Sequence, residues 1–253
     1  AMANTNALQL FEEKEKKKSS WESLRSSMEK TLRLERSPNR IECLDISNTS
    51  GKQAVGSLVS FVSGEPDKSR WRHYKIRTID SPDDYTMMRE VLQRRLRRGI
   101  EEDNLPDLFV VDGGKGQLGM ALSVASELGI TDVVDWIGIA KEKHDEGEKL
   151  YKPHRKNPIL LPAHNPIILY LMRIRDESHR YGITFHRKLR NKYTLASELD
   201  NIPGIGTAKK KELLKHIGSL RRIKDASVDD LLEVRGIGNE LAREIFSYFN
   251  PPA

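Results

Sequence analysis

Apolar positions along the chain follow two different periods. Trp21, Leu24, Met28 and Leu32 recur at helical spacing, which predicts an amphipathic helix packed on the domain after it and stopped by Ser37-Pro38. The run before it, FEEKEKKK at 11–18, is almost all charged and reads as a solvated helix or linker. With Ala1-Met2-Ala3 read as a cloning remnant, residues 1–20 are set apart from the domain that begins at Trp21. Ile41–Ser47, Ala54–Val62 and Arg70–Thr78 have the short, β-branched or alternating character of strands. Gly51-Lys52 and Gly64-Glu65-Pro66-Asp67 supply the turns of an antiparallel meander. The helical period returns in Asp83–Arg98 through Tyr85, Met88, Val91, Leu92 and Leu96. Leu108–Asp112 reads as a buried strand that Gly113-Gly114 turns into a helix over Gln117–Leu128, and Val133–Ala140 as a further strand. After a β-rich stretch, Pro166–Arg190 carries a long helical pattern with a break near Gly182. Three antiparallel strands followed by alternating helices and strands predict a mixed sheet with helices on its faces, an α/β domain over 21–190.

After residue 191 the texture changes. Ile202-Pro203-Gly204-Ile205-Gly206 recurs as Val234-Arg235-Gly236-Ile237-Gly238, and the helical stretches Lys209–Ile217 and Glu240–Tyr248 follow the two copies. This internal duplication defines an all-α domain over 197–250, joined to the first by a link around Arg190–Ala196.

Composition narrows the function classes. The 253 residues carry a formal charge of +6, a modest basic excess that suits a polyanionic partner. From Asn191 onward basic and acidic residues nearly balance, so most of the excess lies in the first domain. No apolar run approaches the ~18 residues of a membrane span, so no membrane partner is expected. A lone cysteine, Cys43, excludes a disulfide framework and a cysteine-rich zinc site. A soluble, cytoplasmic protein is expected.

The candidate chemistry lies where charge interrupts apolar strands. Alternation puts Asp45 on the face of Ile41 and Cys43, and Asp112 on the face of Leu108 and Val110. Each ends an apolar strand, where a carboxylate is costly unless compensated. If the two strands are neighbours, the carboxylates converge, and a divalent cation is the simplest compensation. On the long helix, Met172, Arg175, His179 and Ile183 share a face, so two polar residues interrupt an apolar stripe. A histidine within reach of two carboxylates can ligate a metal or move a proton. Two Asp and one His around Mg²⁺ or Mn²⁺ would activate water and stabilise charge on a phosphate. The same residues also read as a turn aspartate, a helix-cap aspartate and an accommodated histidine.

The stretches IECLDISN (41–48), VDGGKGQL (111–118), RIRDESHRYGITFHRK (173–188) and IPGIG (202–206) closely resemble, in order, the C-terminal half of the UvrC family. These are the excinuclease subunits of bacterial nucleotide excision repair. The resemblance, which runs from about Leu24 onward, implies a ribonuclease H-like mixed-sheet endonuclease domain followed by tandem helix-hairpin-helix motifs. In that fold the first and fourth strands are parallel neighbours. It implies incision on the 5′ side of a lesion in double-stranded DNA, with UvrB as partner in a pre-incision complex and UvrA acting upstream. Carried over by motif, Asp45, Asp112 and His179 match the family's catalytic triad, and Asp84 in DDYTMMRE matches a further acidic position, although an Asp-Asp pair opening a helix is equally an N-cap. Asn48 stands where the family commonly has His. No GIY…YIG pair and no acidic UvrB-binding helix pair is present, so a fragment making at most one of two cuts is expected. Two other readings stay open: a non-catalytic DNA-binding scaffold module, and a ribonuclease H or junction resolvase.

Gly113-Gly114-Lys115-Gly116-Gln117 lacks P-loop spacing and reads as a strand-to-helix turn that frees Asp112, with Lys115 a candidate phosphate contact. The hairpin glycines Gly204, Gly206, Gly236 and Gly238 let backbone amides approach a DNA phosphate, with Lys209, Lys210 and Arg243 beside them. Such contacts read the backbone and not the bases. A helical repeat used for protein contacts is the competing reading. Arg94, Arg95, Arg97, Arg98, Arg187, Lys188 and Arg190 read either as solvated helix ends or as strand-holding groups. Trp71 and Tyr74 read either as core or as base-stacking rings.

Overall fold

The computed structural model describes residues 2–47, 54–77, 83–141 and 147–251. The chain divides into two compact units, 1–184 and 185–253. In chain order the first contains α1 (Met2–Leu32), β1 (Arg40–Ser47), β2 (Val55–Val62), β3 (Glu65–Pro66), β4 (Arg72–Lys75), α2 (Asp84–Glu101), β5 (Leu108–Asp112), α3 (Lys115–Glu127), β6 (Asp135–Lys141), β7 (Glu148–Tyr151) and β8 (Ile159–Leu160). The helix α4 (Pro166–Asp200) comes next, and the division between units falls within it.

These strands form one mixed sheet in the order β3-β2-β1-β5-β6-β7-β8, with β4 also paired to β2. β1 and β2 pair antiparallel, whereas β1, β5 and β6 run parallel. Central parallel strands are covered on both faces, which is why β1 and β5 read as nearly unbroken apolar runs. Ile41, Cys43, Leu108, Val110, Ile137 and Ile139 face one core with Met28 and Leu32 of α1 and Leu171 and Ile174 of α4. Leu44, Phe109, Val111 and Trp136 face another, with Met88, Val91 and Leu92 of α2 and Leu118 and Ala121 of α3.

Three expectations need correction. The third strand is broken: β3 and a 3-10 turn at Lys68–Arg70 precede β4, because Asp67 caps that turn and Trp71 turns inward to donate its indole N–H to the Ser60 carbonyl. Thr78 and Asn48 lie outside the described residues. The charged run 11–18 is helical, as one of its two readings had it, and belongs to α1, which starts at Met2. α4 passes through Gly182 without a break; the glycine serves a close approach to the sheet. The basic cluster on α2 is not uniformly solvated. Arg95 is buried, donating to both carboxylate oxygens of Glu42 at 2.8 and 2.7 Å and to the Asn104 carbonyl, while Arg94 and Arg98 pair with Glu90 and Glu102.

In the second unit α5 (Thr207–His216), α6 (Leu220–Lys224), α7 (Val228–Leu232) and α8 (Asn239–Phe249) close a core of their own. The duplication is visible in it: Leu199, Ile202, Ile205 and Leu213 are buried, and so are Leu231, Val234, Ile237 and Ile245.

Candidate metal centre and hairpin turns

Register builds the first site. Leu44 of β1 lies opposite Val111 of β5, the last pair of that ladder, so the next residues, Asp45 and Asp112, stand side by side on the α4 face. Across the other flank Asp45 lies opposite Ser57 of β2. α4 crosses this edge at very close range. Ser178 donates to the Ser57 carbonyl at 2.9 Å and sits 3.5 Å from the Cys43 carbonyl. A Cβ on Gly182 would lie 2.8 Å from Ser47 Oγ, 3.0 Å from Ser57 Oγ and 3.4 Å from Asp45 Oδ2. That approach delivers His179, whose Nδ1 is 3.6 Å from Asp45 Oδ2. Asp45, Asp112 and His179 each offer one ligand atom, and the three atoms lie within 4.8 Å of one another.

The helical stripe is rotated by one position from the expected one. Ile167, Leu171, Ile174, Ser178 and Gly182 form the buried face, Ile183 is exposed, and His179 stands at the rim. Arg175 does not join the three donors as a ligand. It pairs with Glu148 of β7 at 2.6 Å and with Asp176 at 2.8 Å. Burial opposes its charge, but these bonds outweigh burial and raise its pKa.

Electrostatics mark the centre as short of positive charge. Burial first, then the carboxylate of Asp45, push the pKa of Asp112 up to about 6, with Arg175 and His179 pulling the other way. Burial, Asp112 and Asp45 together raise the Cys43 thiol. A pair of oxygen donors held together against repulsion, with an imidazole beside them, suits a divalent cation.

Asp84 is not one of the three clustered donors. It is the exposed first residue of α2, and the cap is Asp83, whose carboxylate accepts from the Tyr85 and Thr86 amides. Lys115 opens α3 after the Gly113-Gly114 turn and donates to the Lys156 carbonyl. Trp71 is buried against Tyr181, and Tyr74 is half-buried beneath the Arg94 guanidinium, so neither ring stands free on the surface. Gly182, Ser178 and Ser57 were absent from the expected set. Only a glycine and a serine embedded in an otherwise apolar helical stripe hint at them.

The second unit presents two matching turns. Gly204 and Gly236 have φ +78° and +87°, and Ile205 and Ile237 close the turns by donating to Ile202 and Val234. Gly206 and Gly238 cap α5 and α8 with no side-chain cap bond, and nothing lies within 4 Å of a Cβ on Gly206, Gly236 or Gly238. These turns therefore face open space. Lys209 folds back onto the Gly204 carbonyl at 2.9 Å, and Lys210 is half-buried. By the repeat, exposed Arg243 corresponds to exposed Lys211, a residue not singled out from the sequence. Arg187 is exposed.

A mixed sheet whose adjacent parallel strands carry two carboxylates side by side beneath α4, followed by a tandem hairpin unit, is a ribonuclease H-like fold joined to helix-hairpin-helix motifs. The chain belongs to the UvrC family: the family described as UvrC RNAse H endonuclease domain matches residues 29–183, and a helix-hairpin-helix motif family matches 199–253. UvrABC system protein C of Desulfotalea psychrophila is 71% identical over 246 residues, covering 97% of this chain and 40% of the relative. That of Protochlamydia amoebophila is 47% identical over 253 residues, covering 98% and 41%. The chain thus spans about two fifths of the length of these relatives. Among solved structures, an endonuclease V from Bacillus subtilis is 16% identical with a TM-score of 0.35, covering 62% of this chain and 89% of that one. No helix among the described residues is long and apolar enough to cross a membrane.

Proposed function

We propose that this chain is a divalent-metal-dependent endodeoxyribonuclease that makes the 5′ incision beside a lesion in nucleotide excision repair. The cluster of Asp45, Asp112 and His179, within 4.8 Å, carries the reading. Asp45 and Asp112 would hold Mg²⁺ or Mn²⁺, and His179 would complete the set or accept a proton from the attacking water. The cation would supply charge for the phosphate and a lowered pKa for that water. Arg175, tied to Glu148, leaves the carboxylates free for the cation while adding positive potential. Asp84, by the family motif, is a further acidic contributor at the start of α2. Gly204, Gly206, Gly236 and Gly238 would receive backbone phosphates, with Lys209, Lys210, Arg243 and Lys115 adding charge, so DNA is held independently of sequence. Damaged duplex DNA is the substrate, UvrB the partner in a pre-incision complex after UvrA, and the cytoplasm the compartment. The sequence-defined units are 21–190 for cutting and 197–250 for holding DNA.

The test is Mn²⁺-dependent nicking of lesion-bearing duplex, alone and in the complex with UvrB on a strand already cut on the 3′ side. Asp45→Ala and His179→Ala should each lose well over about a hundredfold in rate, since even the groups that merely support metal ligands are worth that much. Unimpaired 5′ incision by folded Asp45→Ala protein would overturn the assignment.

A further inference from the structure

A large cavity on the first unit lies at the opposite end of β1 from Asp45. It has a volume of about 760 Å³ and lies between α1, the β1–β2 edge and the first turns of α4. Asn39 beside it precedes β1 and is six residue steps from Asp45, roughly 20 Å at strand rise. We infer that this groove docks an acidic, apolar peptide segment of a partner protein.

Two observations carry the inference. Trp21 and Tyr170 line the groove and are more than nine-tenths buried, at 8% and 7% exposure. The Trp21 indole N–H and the Tyr170 hydroxyl have no hydrogen-bond partner among the described residues. Buried polar groups are normally satisfied, and an indole N–H can only donate, so the occupant must bring acceptors. The charges agree. Lys16, Lys17, Lys18, Arg25 and Arg173 line the groove against only Glu22 and Glu65. Arg173 is paired with Glu65 at 3.3 Å, and Arg25 reaches Glu29 only at 3.9 Å, which leaves the lysines as the basic rim.

Nucleic acid fits this groove less well than peptide. A base needs a free ring face, but Trp21 lies against Gly64, where a Cβ would come within 2.8 Å of the ring, and meets Tyr170 at 5.4 Å between centroids. The floor offers ring edges and Leu24, a seat for aliphatic side chains flanked by carboxylates.

The test uses the 253-residue chain labelled with ¹⁵N and a 12-residue peptide of Glu, Leu and Phe. The Trp21 indole resonance should shift saturably, while that of Trp71, already bonded to Ser60, stays in place and reports an intact fold. Tyr170→Phe should weaken binding at least about tenfold, as loss of a bond to a charged acceptor does. The triple reversal Lys16→Glu, Lys17→Glu, Lys18→Glu should do the same without touching the core. An unmoved Trp21 resonance, equal binding of the peptide with Gln for Glu, or the same shift on adding duplex DNA would each overturn the inference.

Discussion

The two units present their candidate sites in opposite ways. In the first, the candidate site consists of side chains from β1, β5 and α4 that only tertiary packing brings together, and the price is a buried carboxylate held beside another. In the second it consists of backbone at two glycine turns, repeated locally and open to solvent. A site of converging side chains is sensitive to packing and to protons. A site of exposed amides is sensitive to salt and to any side chain placed on the turn.

The largest effect tests how far packing governs the first unit. Glu42→Ala leaves the Arg95 guanidinium buried without its partner and should cost about 3–5 kcal/mol, read as lost thermal stability. The equivalent removal at the exposed Arg98–Glu102 pair should leave the melting temperature almost unchanged, since solvent screens that pair.

Protons come next. Asp112 has a folded pKa raised to about 6, so its contribution to stability is fully present below the unfolded value of 3.8 and is lost as pH rises through about 6. The metal-free protein should lose up to about 3 kcal/mol across that window. Mn²⁺ should restore it at pH 7 and do little at pH 4, a difference visible by calorimetry; Asp112→Asn should flatten the pH profile.

The hairpins should answer to salt instead. Gly204→Val with Gly236→Val puts branched side chains at φ near +80° and blocks the turn, and duplex affinity should fall at least about tenfold, with a shallower salt slope. Unchanged affinity by anisotropy would leave the hairpins to protein contacts. The smallest effect sharpens the first site. Gly182→Ala should change the melting temperature little, since helix propensity offsets crowding against Ser47 and Ser57, yet slow nicking by about tenfold as α4 lifts His179 from Asp45.

Much of this was legible in the sequence, for identifiable reasons. Strand alternation put Asp45 on the face of Ile41 and Cys43 and Asp112 on that of Leu108 and Val110, and the parallel pairing of β1 with β5 makes these one face. The duplication was legible because hairpin glycines recur with their apolar neighbours. Other features escaped. Gly182 reads as a helix breaker when only local propensity is considered; its reason is a sheet that is distant in sequence. Arg95 reads as one more surface arginine, since nothing near it announces Glu42, 53 residues away. The face of α4 was misjudged by one position, because Met172 and Ile183 mimic a buried stripe whose true members include Ser178 and Gly182.

The tie between Ser178 and Cys43, 135 residues apart, bears on when the centre comes into being. β1 is made early in the chain and α4 late, and contacts of such long range form slowly during folding. A growing or clipped chain that lacks α4 holds two repelling carboxylates and no imidazole. The donor set is therefore a product of the finished fold and cannot assemble on an incomplete chain.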